Sequence, residues 1–582
     1  MLQQKISDSE YISVSESIWV VDEANTRDIL AIQQRFGVCE IIARILSVKN
    51  IPIDKIDDFL YPTLRHMLPD PFHLLDMDKA INRIEQVIYN QEKIVVFGDY
   101  DVDGATSSAL IKKYFKNLGV NIHIYIPDRI QEGYGPNTKA FLDLQKEGYS
   151  LCITVDCGTV AHEPISTAKS VGLDIIVIDH HISTDILPEA IAVINPNRLD
   201  ESSPYTNLAA VGVTFLMIVA LHKTLQKKNF FKDKQEPNLL DYLDLVALGT
   251  ICDVMSITEL NRVFIKQGLK VMAARKNLGL KILSDIIGIQ EKPNTHLLGF
   301  IIGPHINAGG RIGNASLGAK LLSSESEEES IQIATQLQHL NIERKELENQ
   351  SFNEALVQAE KLIFSGTNII VVAHQSWHPG IIGIIAGRLK EKFNLPSIVI
   401  SLNNGIGKAS ARSIPNVDIG AAILYAKFKN LIIEGGGHAM AAGFSIYEDK
   451  IQELYEFLSE KFSNISTQKT LRAISTITLD AVNLNLWQKL QLLEPFGIGN
   501  PEPRFILTNI KVKKPELIND NHIKCWIYDN KTFLKGICFR CANTALGMAL
   551  LQCQVTMILG KISVNYWKGN ENIQFIIEDV TV

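Results

Sequence analysis

Four short apolar runs, each rich in β-branched residues and each running into an acid-bearing loop, constrain this chain more than any other feature. Residues 93–97, 121–126, 151–155 and 174–178 read as strands, with helical stretches at 105–118, 138–146 and 164–171 between them. Strands alternating with helices predict an α/β fold with a doubly wound parallel sheet. In such sheets ligands gather beyond the carboxyl ends of the strands.

The loops at those ends carry the chemistry. The first is Gly98-Asp99-Tyr100-Asp101-Val102-Asp103-Gly104, the third Thr154-Val155-Asp156-Cys157-Gly158, the fourth Asp179-His180-His181. Three carboxylates at alternate positions repel one another unless cations neutralise them. Gly98 and Gly104 are expected to allow the tight turns that aim them into one cleft. Taken alone, the first loop reads equally well as a solvated acidic loop in which Asp103 caps the next helix. Strand ends in register decide between the two: Asp99, Asp101, Asp103, Asp156 and His180 should meet at one edge of the sheet. Asp253, behind an apolar helix at 239–251, is expected to close the cluster.

An oxygen-rich site with an imidazole suits Mg²⁺ or Mn²⁺. Two such cations about 3.5–4 Å apart stabilise in-line attack at phosphorus. The expected reaction is therefore metal-dependent phosphodiester hydrolysis. Asp156 is the expected bridging ligand, because it stands on a strand between the other two loops. His181 is expected to touch the scissile phosphate or protonate the leaving oxygen. Asp179 can instead orient an imidazole.

With 582 residues the chain is too long for one core, and about three domains are expected. Residues 1–92 read as mixed helix and loop, 93–323 as the catalytic domain, and 324–362 as a connecting helix striped by Ile333, Leu337, Leu340 and Leu347. A second α/β domain is expected at 363–465 and a small β barrel at 466–582. Trp526, Tyr528, Phe533, Tyr566 and Trp567 are interleaved there with Lys524, Lys531, Lys535 and Lys568. Stacking faces beside cations are what sequence-tolerant binding of single strands needs, although alternating aromatics in strands also serve as core. The net charge of −7 excludes a wholly basic coat but not local patches. A polar start, short apolar runs and scattered cysteines predict a cytoplasmic protein without a membrane segment, and the Cys538–Cys541 CxxC is expected to be structural rather than a zinc site.

These motifs resemble the DHH phosphoesterase superfamily, and within it the RecJ family of single-strand-specific exonucleases. Besides the three loops, the resemblance rests on Asp128-Arg129-Ile130-Gln131-Glu132-Gly133-Tyr134-Gly135, Asn195-Pro196-Asn197-Arg198 and Ala247-Leu248-Gly249-Thr250-Ile251-Cys252-Asp253-Val254. Gly303-Pro304-His305-Ile306-Asn307-Ala308-Gly309-Gly310-Arg311 follows, with His305 where relatives often carry arginine. Trp377-His378-Pro379-Gly380, Ala409-Ser410-Ala411-Arg412 and the run from Gly435, Gly436, Gly437 and His438 to Gly443 are similar to a DHHA1 domain. The segment from Pro495 to Pro503 looks like the entry to an oligonucleotide-binding (OB) barrel.

The resemblance implies processive 5′→3′ removal of 5′-mononucleotides from single-stranded DNA with two divalent metal ions, Mg²⁺ or Mn²⁺, in DNA repair and recombination. It further implies that Arg129, Asn307, Arg311, Ser410, Arg412, Gly436, Gly437 and His438 bind substrate, with the glycine amides approaching phosphate. Partners would be a single-strand-binding protein and a RecQ-type helicase. Two other readings compete: a phosphodiesterase for short oligonucleotides or cyclic dinucleotides, and a non-catalytic replication scaffold.

Overall fold

The computed structural model describes residues 5–7, 10–128, 132, 133, 135–463, 465, 468–567 and 570–582. The chain separates into two compact units. One comprises Thr63–Ser463 with Gly497–Gly499; the other comprises Met1–Pro62, Asn464–Phe496 and Asn500–Val582.

In the first unit a five-stranded parallel sheet forms from β1 (Ile94–Gly98), β2 (Ile122–Tyr125), β3 (Leu151–Val155), β4 (Asp174–Ile178) and β5 (Ala192–Ile194), in the order β2-β1-β3-β4-β5. Alternate residues face opposite sides, and both sides are covered. Ile94, Val96, Ile153 and Ile178 pack with α1 (Val102–Asn117), while Val95, Phe97, Cys152 and Val177 pack against α2 (Thr138–Lys146) and α3 (His162–Ser170). Burial on both faces is why these strands read as unbroken apolar runs. Each fully buried Ile or Val adds about 1.5–3 kcal/mol. Two further apolar helices, α4 (Ala210–Lys227) and α5 (Leu243–Cys252), complete the α1 side. The strand order reverses at β1, between β2 and β3, which places a topological switch point beside the acid loop.

After α6 (Gly303–Ile312) comes α7 (Glu327–Phe364), one continuous helix of 38 residues. Ser326 caps it by accepting from the Glu329 amide. Its apolar stripe serves two cores. Ile333, Ala334 and Leu337 join the catalytic core, and Ala355 and Ala359 the next one. That second core backs a sheet of β6 (Ile370–His374), β7 (Ser397–Asn403), β8 (Ile406–Arg412), β9 (Glu434–His438) and β10 (Ala441–Tyr447), ordered β9-β10-β8-β7-β6, with α8 (Ile382–Phe393) and α9 (Ile419–Phe428) packed on it.

The other unit shows that residues 1–92 are not one body. Ile18–Val21 pairs in parallel with Thr470–Ala473, and buried Trp19 donates through Nε1 to the Asp579 carboxylate at 3.0 Å. Ile32, Ile42 and Leu46 share a core with Phe505, Ile527 and Phe575. The helix Met77–Asn90, by contrast, belongs to the catalytic core. Seven strands between Ser475 and Thr581 form one mostly antiparallel sheet. No helix among the described residues is long and apolar enough to cross a membrane.

Candidate metal centre

Register sets the site. Gly98 pairs with Val155, and Val155 with Ile178, so β1, β3 and β4 end level with one another. The residues that follow them converge as the sequence predicts, but two local roles differ. The side chain of Asp101, not that of Asp103, caps α1, accepting from the amides of Asp103 (2.8 Å) and Gly104 (3.1 Å). Asp103 sits two residues further in and accepts from the first two amides of α4, Ala210 at 2.6 Å and Val211 at 2.9 Å. The glycines are there for close approach rather than for turns. A Cβ on Gly98 would lie 2.3 Å from Ser108 Oγ, and one on Gly104 would lie 2.4 Å from the Asp99 carbonyl oxygen. On the far side of the loop, a Cβ on Gly310 of α6 would come within 2.6 Å of the Tyr100 carbonyl.

Asp156 is buried and adopts a left-handed backbone (φ 62°), a conformation that aspartate tolerates better than most residues and that is frequent at functional sites. Asp179 faces away from the cluster. It accepts from the amides of Thr159, His180 and His181 and from His181 Nδ1 at 2.7 Å. Asn195 donates to Thr159 Oγ1 (2.9 Å) and the His181 carbonyl (2.8 Å), and Asn197 donates to the His180 carbonyl. Sequence reasoning found the motif that holds these asparagines but not their role; their position just beyond β5 is the signal that places them beside the histidines.

Three sets of side chains have donor atoms that all lie within 4.8 Å of one another: Asp99, Asp101 and Asp156; Asp103, His180 and Asp253; and Asp156, His180 and His181. Asp156 belongs to two of the sets. His180 Nε2 lies 3.3 Å from Asp156 Oδ1, 3.4 Å from Asp253 Oδ2 and 4.0 Å from Asp103 Oδ2. Neither this buried nitrogen nor Asp253 Oδ2 makes a hydrogen bond among the described residues. Buried polar atoms aimed at one another without hydrogen bonds fit cation ligands. Electrostatics agree. Burial, and then the charge of Asp101, pushes Asp103 up to about 7; burial, and then Asp103, pushes Asp253 up to about 9. Asp156 is raised by burial and by its four acidic neighbours. Burial holds His180 down at about 4, so it is neutral, the form that binds metal.

His181 is different. Burial works against its charge, yet the hydrogen bond to Asp179 raises it to about 9, leaving a half-exposed imidazolium beside the carboxylates. Asp179 itself is raised by burial but held well below the usual carboxylate range by the same hydrogen bond. Replacing Asp179 by Asn in the metal-free protein is expected to lower the His181 pKa by about one to two pH units. Histidine proton titration by NMR measures this, and an unmoved titration would remove Asp179 as the group that keeps His181 charged.

Across the same unit, Arg412 Nη1 donates to Ser410 Oγ (3.1 Å) and the Ala411 carbonyl (2.8 Å), and no carboxylate pairs with it among the described residues. Both side chains lie against the first turn of α8: a Cβ on Gly383 would lie 3.0 Å from Arg412 Nη2 and 3.1 Å from Ser410 Oγ. No side chain caps that turn. A guanidinium, a hydroxyl and an open helix amino terminus form an anion-receptive corner. Arg311 Nη1 donates to the Gly380 carbonyl (3.0 Å), tying α6 to the segment that leads into α8. Asn307 is half-buried on α6, and His305 is buried there, its Nδ1 hydrogen-bonded to the Ile301 carbonyl of its own turn (2.7 Å) rather than standing in for an arginine. Gly435 to Gly437 form an edge strand, not a turn. A Cβ on Gly437 would strike the Ala441 carbonyl at 2.3 Å, whereas Gly436 faces open space and His438 is exposed. Arg129 lies outside the described residues, as do the side chains of Tyr566 and Trp567.

In the second unit, Ile523, Cys525 and Ile527 point into the core, so the aromatics between them do not. Trp526 and Tyr528 share the opposite face with Lys513, Phe533 and Lys535. Lys513 Nζ stands 4.0 Å from the centre of the Phe533 ring and 4.9 Å from that of Tyr528, and Lys535 Nζ 5.9 Å from that of Trp526.

Comparison with known proteins places these observations. Residues 93–250 match the DHH family, N-terminal domain, residues 366–464 the DHHA1 domain and residues 475–579 the RecJ OB domain. The chain is 33% identical over 538 residues to the single-stranded-DNA-specific exonuclease RecJ of Salmonella typhimurium, covering 89% of this chain and 92% of that one. It is 30% identical over 577 residues to the Bacillus subtilis protein of the same name, covering 98% of this chain and 71% of that one. The crystal structure of RecJ from Thermus thermophilus in complex with Mn²⁺ superposes with a TM-score of 0.82 at 25% identity, over 97% of this chain and 79% of that one.

Proposed function

The chain belongs to the RecJ family of single-stranded-DNA-specific exonucleases, and from that premise we propose that it removes 5′-mononucleotides processively from single-stranded DNA in the 5′→3′ direction by metal-dependent phosphodiester hydrolysis, in DNA repair and recombination. The convergence of Asp99, Asp101, Asp103, Asp156, His180 and Asp253 at the level ends of three strands carries this reading. Two divalent cations, Mg²⁺ or Mn²⁺, would be held by those residues with Asp156 shared between them, and when bound they activate water and offset charge at phosphorus. Everything else falls to the chain itself. His181 offers its Nε2 proton to a phosphate oxygen or to the leaving group, and Asp179, pinned by three amides, holds that ring in place. Asn195 and Asn197 fix the backbone of both histidines.

The corner made by Ser410, Arg412 and the start of α8 receives the 5′-terminal phosphate through charge-assisted hydrogen bonds, with Arg129, Asn307, Arg311, Gly436, Gly437 and His438 along the strand's path. Arg412→Ala should therefore slow cleavage of 5′-phosphorylated strands about tenfold more than that of 5′-hydroxyl strands. Rates on the two substrates test it, and an equal loss on both would take Arg412 out of the end pocket. The cationic, aromatic face around Trp526 and Lys513 adds stacking and phosphate contacts without sequence preference. That face favours a long strand over a dinucleotide substrate, and the complete ligand set opposes an inactive scaffold. A single-strand-binding protein and a RecQ-type helicase would supply the strand, in the cytoplasm.

A further inference from the structure

A basin of about 690 Å³ opens in the catalytic domain at the carboxyl end of α1, far from the acid loop at its amino end. From Asp103 to Lys113 is ten residues, roughly 15 Å along the helix. Four lysines line the basin: Lys113 and Lys116 from α1, Lys234 from the loop after α4, and Lys276. The two carboxylates in its wall are already engaged. Asp241 pairs with Lys276 at 2.7 Å, and Glu236 accepts from His222 Nε2 at 2.9 Å and from Gln226.

Lys113 is the unusual member. It is half-buried and makes neither a hydrogen bond nor an ion pair among the described residues; Glu325 and Asp244 act on it only through space. An ammonium that loses hydration without gaining a partner is unfavourable, and an incoming anion would offset that loss. Lys116 and Lys276 hold their acids in solvent-exposed pairs, which exchange at little cost. The carbonyl pole of α1 also points here, so an anion would be held by the lysines and not by the helix. The volume is that of a small-molecule site, and the amide of Gln235 in its wall can meet a nucleobase edge, whereas that of Asn238 is held by the Leu240 amide and the Asp241 carboxylate.

We propose that this basin binds a small phosphorylated anion, a nucleotide or an inorganic polyphosphate, at Lys113, Lys116, Lys234 and Lys276. The site is independent of the metal centre and of the end pocket at Arg412. Calorimetric titration of the full chain in EDTA, with inorganic pyrophosphate, deoxyadenosine 5′-monophosphate and deoxyadenosine, tests it. Arg412→Ala removes the end pocket's own hold on phosphate, so the phosphorylated probes should still bind that variant; added to it, Lys113→Gln should weaken the remaining binding about tenfold or more and Lys234→Gln several-fold. Binding of the nucleotide alone would name a nucleotide as ligand; equal binding of pyrophosphate would make the phosphate group sufficient. Unchanged affinity when Lys113→Gln is added to Arg412→Ala, no binding of either phosphorylated probe to Arg412→Ala itself, deoxyadenosine binding as tightly as its phosphate, or no binding at millimolar concentration would each overturn the proposal. Lys234 is on a loop, so its variant keeps the test open should Lys113→Gln fail to fold.

Discussion

Asp156→Asn is expected to lower turnover on single-stranded DNA by about 10³-fold or more, because it removes the carboxylate common to two of the candidate ligand sets, and with it the several kcal/mol of charge stabilisation that bound cations would supply. Asparagine is the informative replacement. It keeps the shape of the side chain, and it tolerates the left-handed backbone that alanine would strain. The fold should not suffer. Asp156 is buried and repelled by Asp101, Asp103, Asp99 and Asp253, so removing its charge relieves strain in the metal-free protein. Thermal melting in EDTA should show the variant at least as stable as wild type. Near-normal turnover in a folded Asp156→Asn protein would mean that the cations are held elsewhere.

The second large effect is a pH dependence that reverses the usual sign for carboxylates. Asp103 and Asp253 are raised in the folded state to about 7 and about 9, whereas unfolded aspartates titrate near 3.9. Between those limits the folded chain holds protons that the unfolded chain has released. The contribution of these two groups to the stability of the metal-free protein is therefore greatest below the unfolded pKa, falls as pH rises from there toward the folded values by about 1.4 kcal/mol per pH unit for each group that still holds its proton, and levels off above them. Mn²⁺ or Mg²⁺ displaces those protons, so metal affinity should climb with pH and the slope should vanish at saturating metal. Melting temperatures at pH 6 and pH 9, in EDTA and with Mn²⁺, measure both. Asp253→Asn should flatten the EDTA slope. Wild-type melting temperatures in EDTA that hold steady or rise from pH 6 to pH 9 would show that the cluster is not a buried, self-repelling one.

The catalytic sheet was legible in the sequence because its signals are local. β3 and β4 have the boundaries their apolar runs suggest, since strands covered on both faces show no alternation to blur. The acids and histidines at their ends could be placed at one edge from strand parallelism alone. Partners distant along the chain were not legible. That Asp103 receives the amides of α4, 107 residues on, depends on how α4 packs, and no spacing rule encodes it. The split of residues 1–92 follows from the pairing of Ile18–Val21 with Thr470–Ala473, across most of the chain. Gly435 to Gly437 resemble a turn in sequence. They form a strand because Gly435 and Gly437 lie too close to β10 for a side chain. The outward aromatics Trp526 and Tyr528 looked like core from alternation alone; Ile523, Cys525 and Ile527 occupy that role instead.

The most direct test uses the purified protein with 5′-labelled and 3′-labelled single strands and a blunt duplex of the same sequence, in Mn²⁺, in Mg²⁺ and in EDTA. A metal-dependent, single-strand-specific 5′→3′ exonuclease releases the 5′ label as mononucleotide from the earliest times and shortens the 3′-labelled strand, while the duplex and every EDTA sample stay intact. Undiminished cleavage in EDTA, or digestion of the duplex as fast as the single strand, would contradict it.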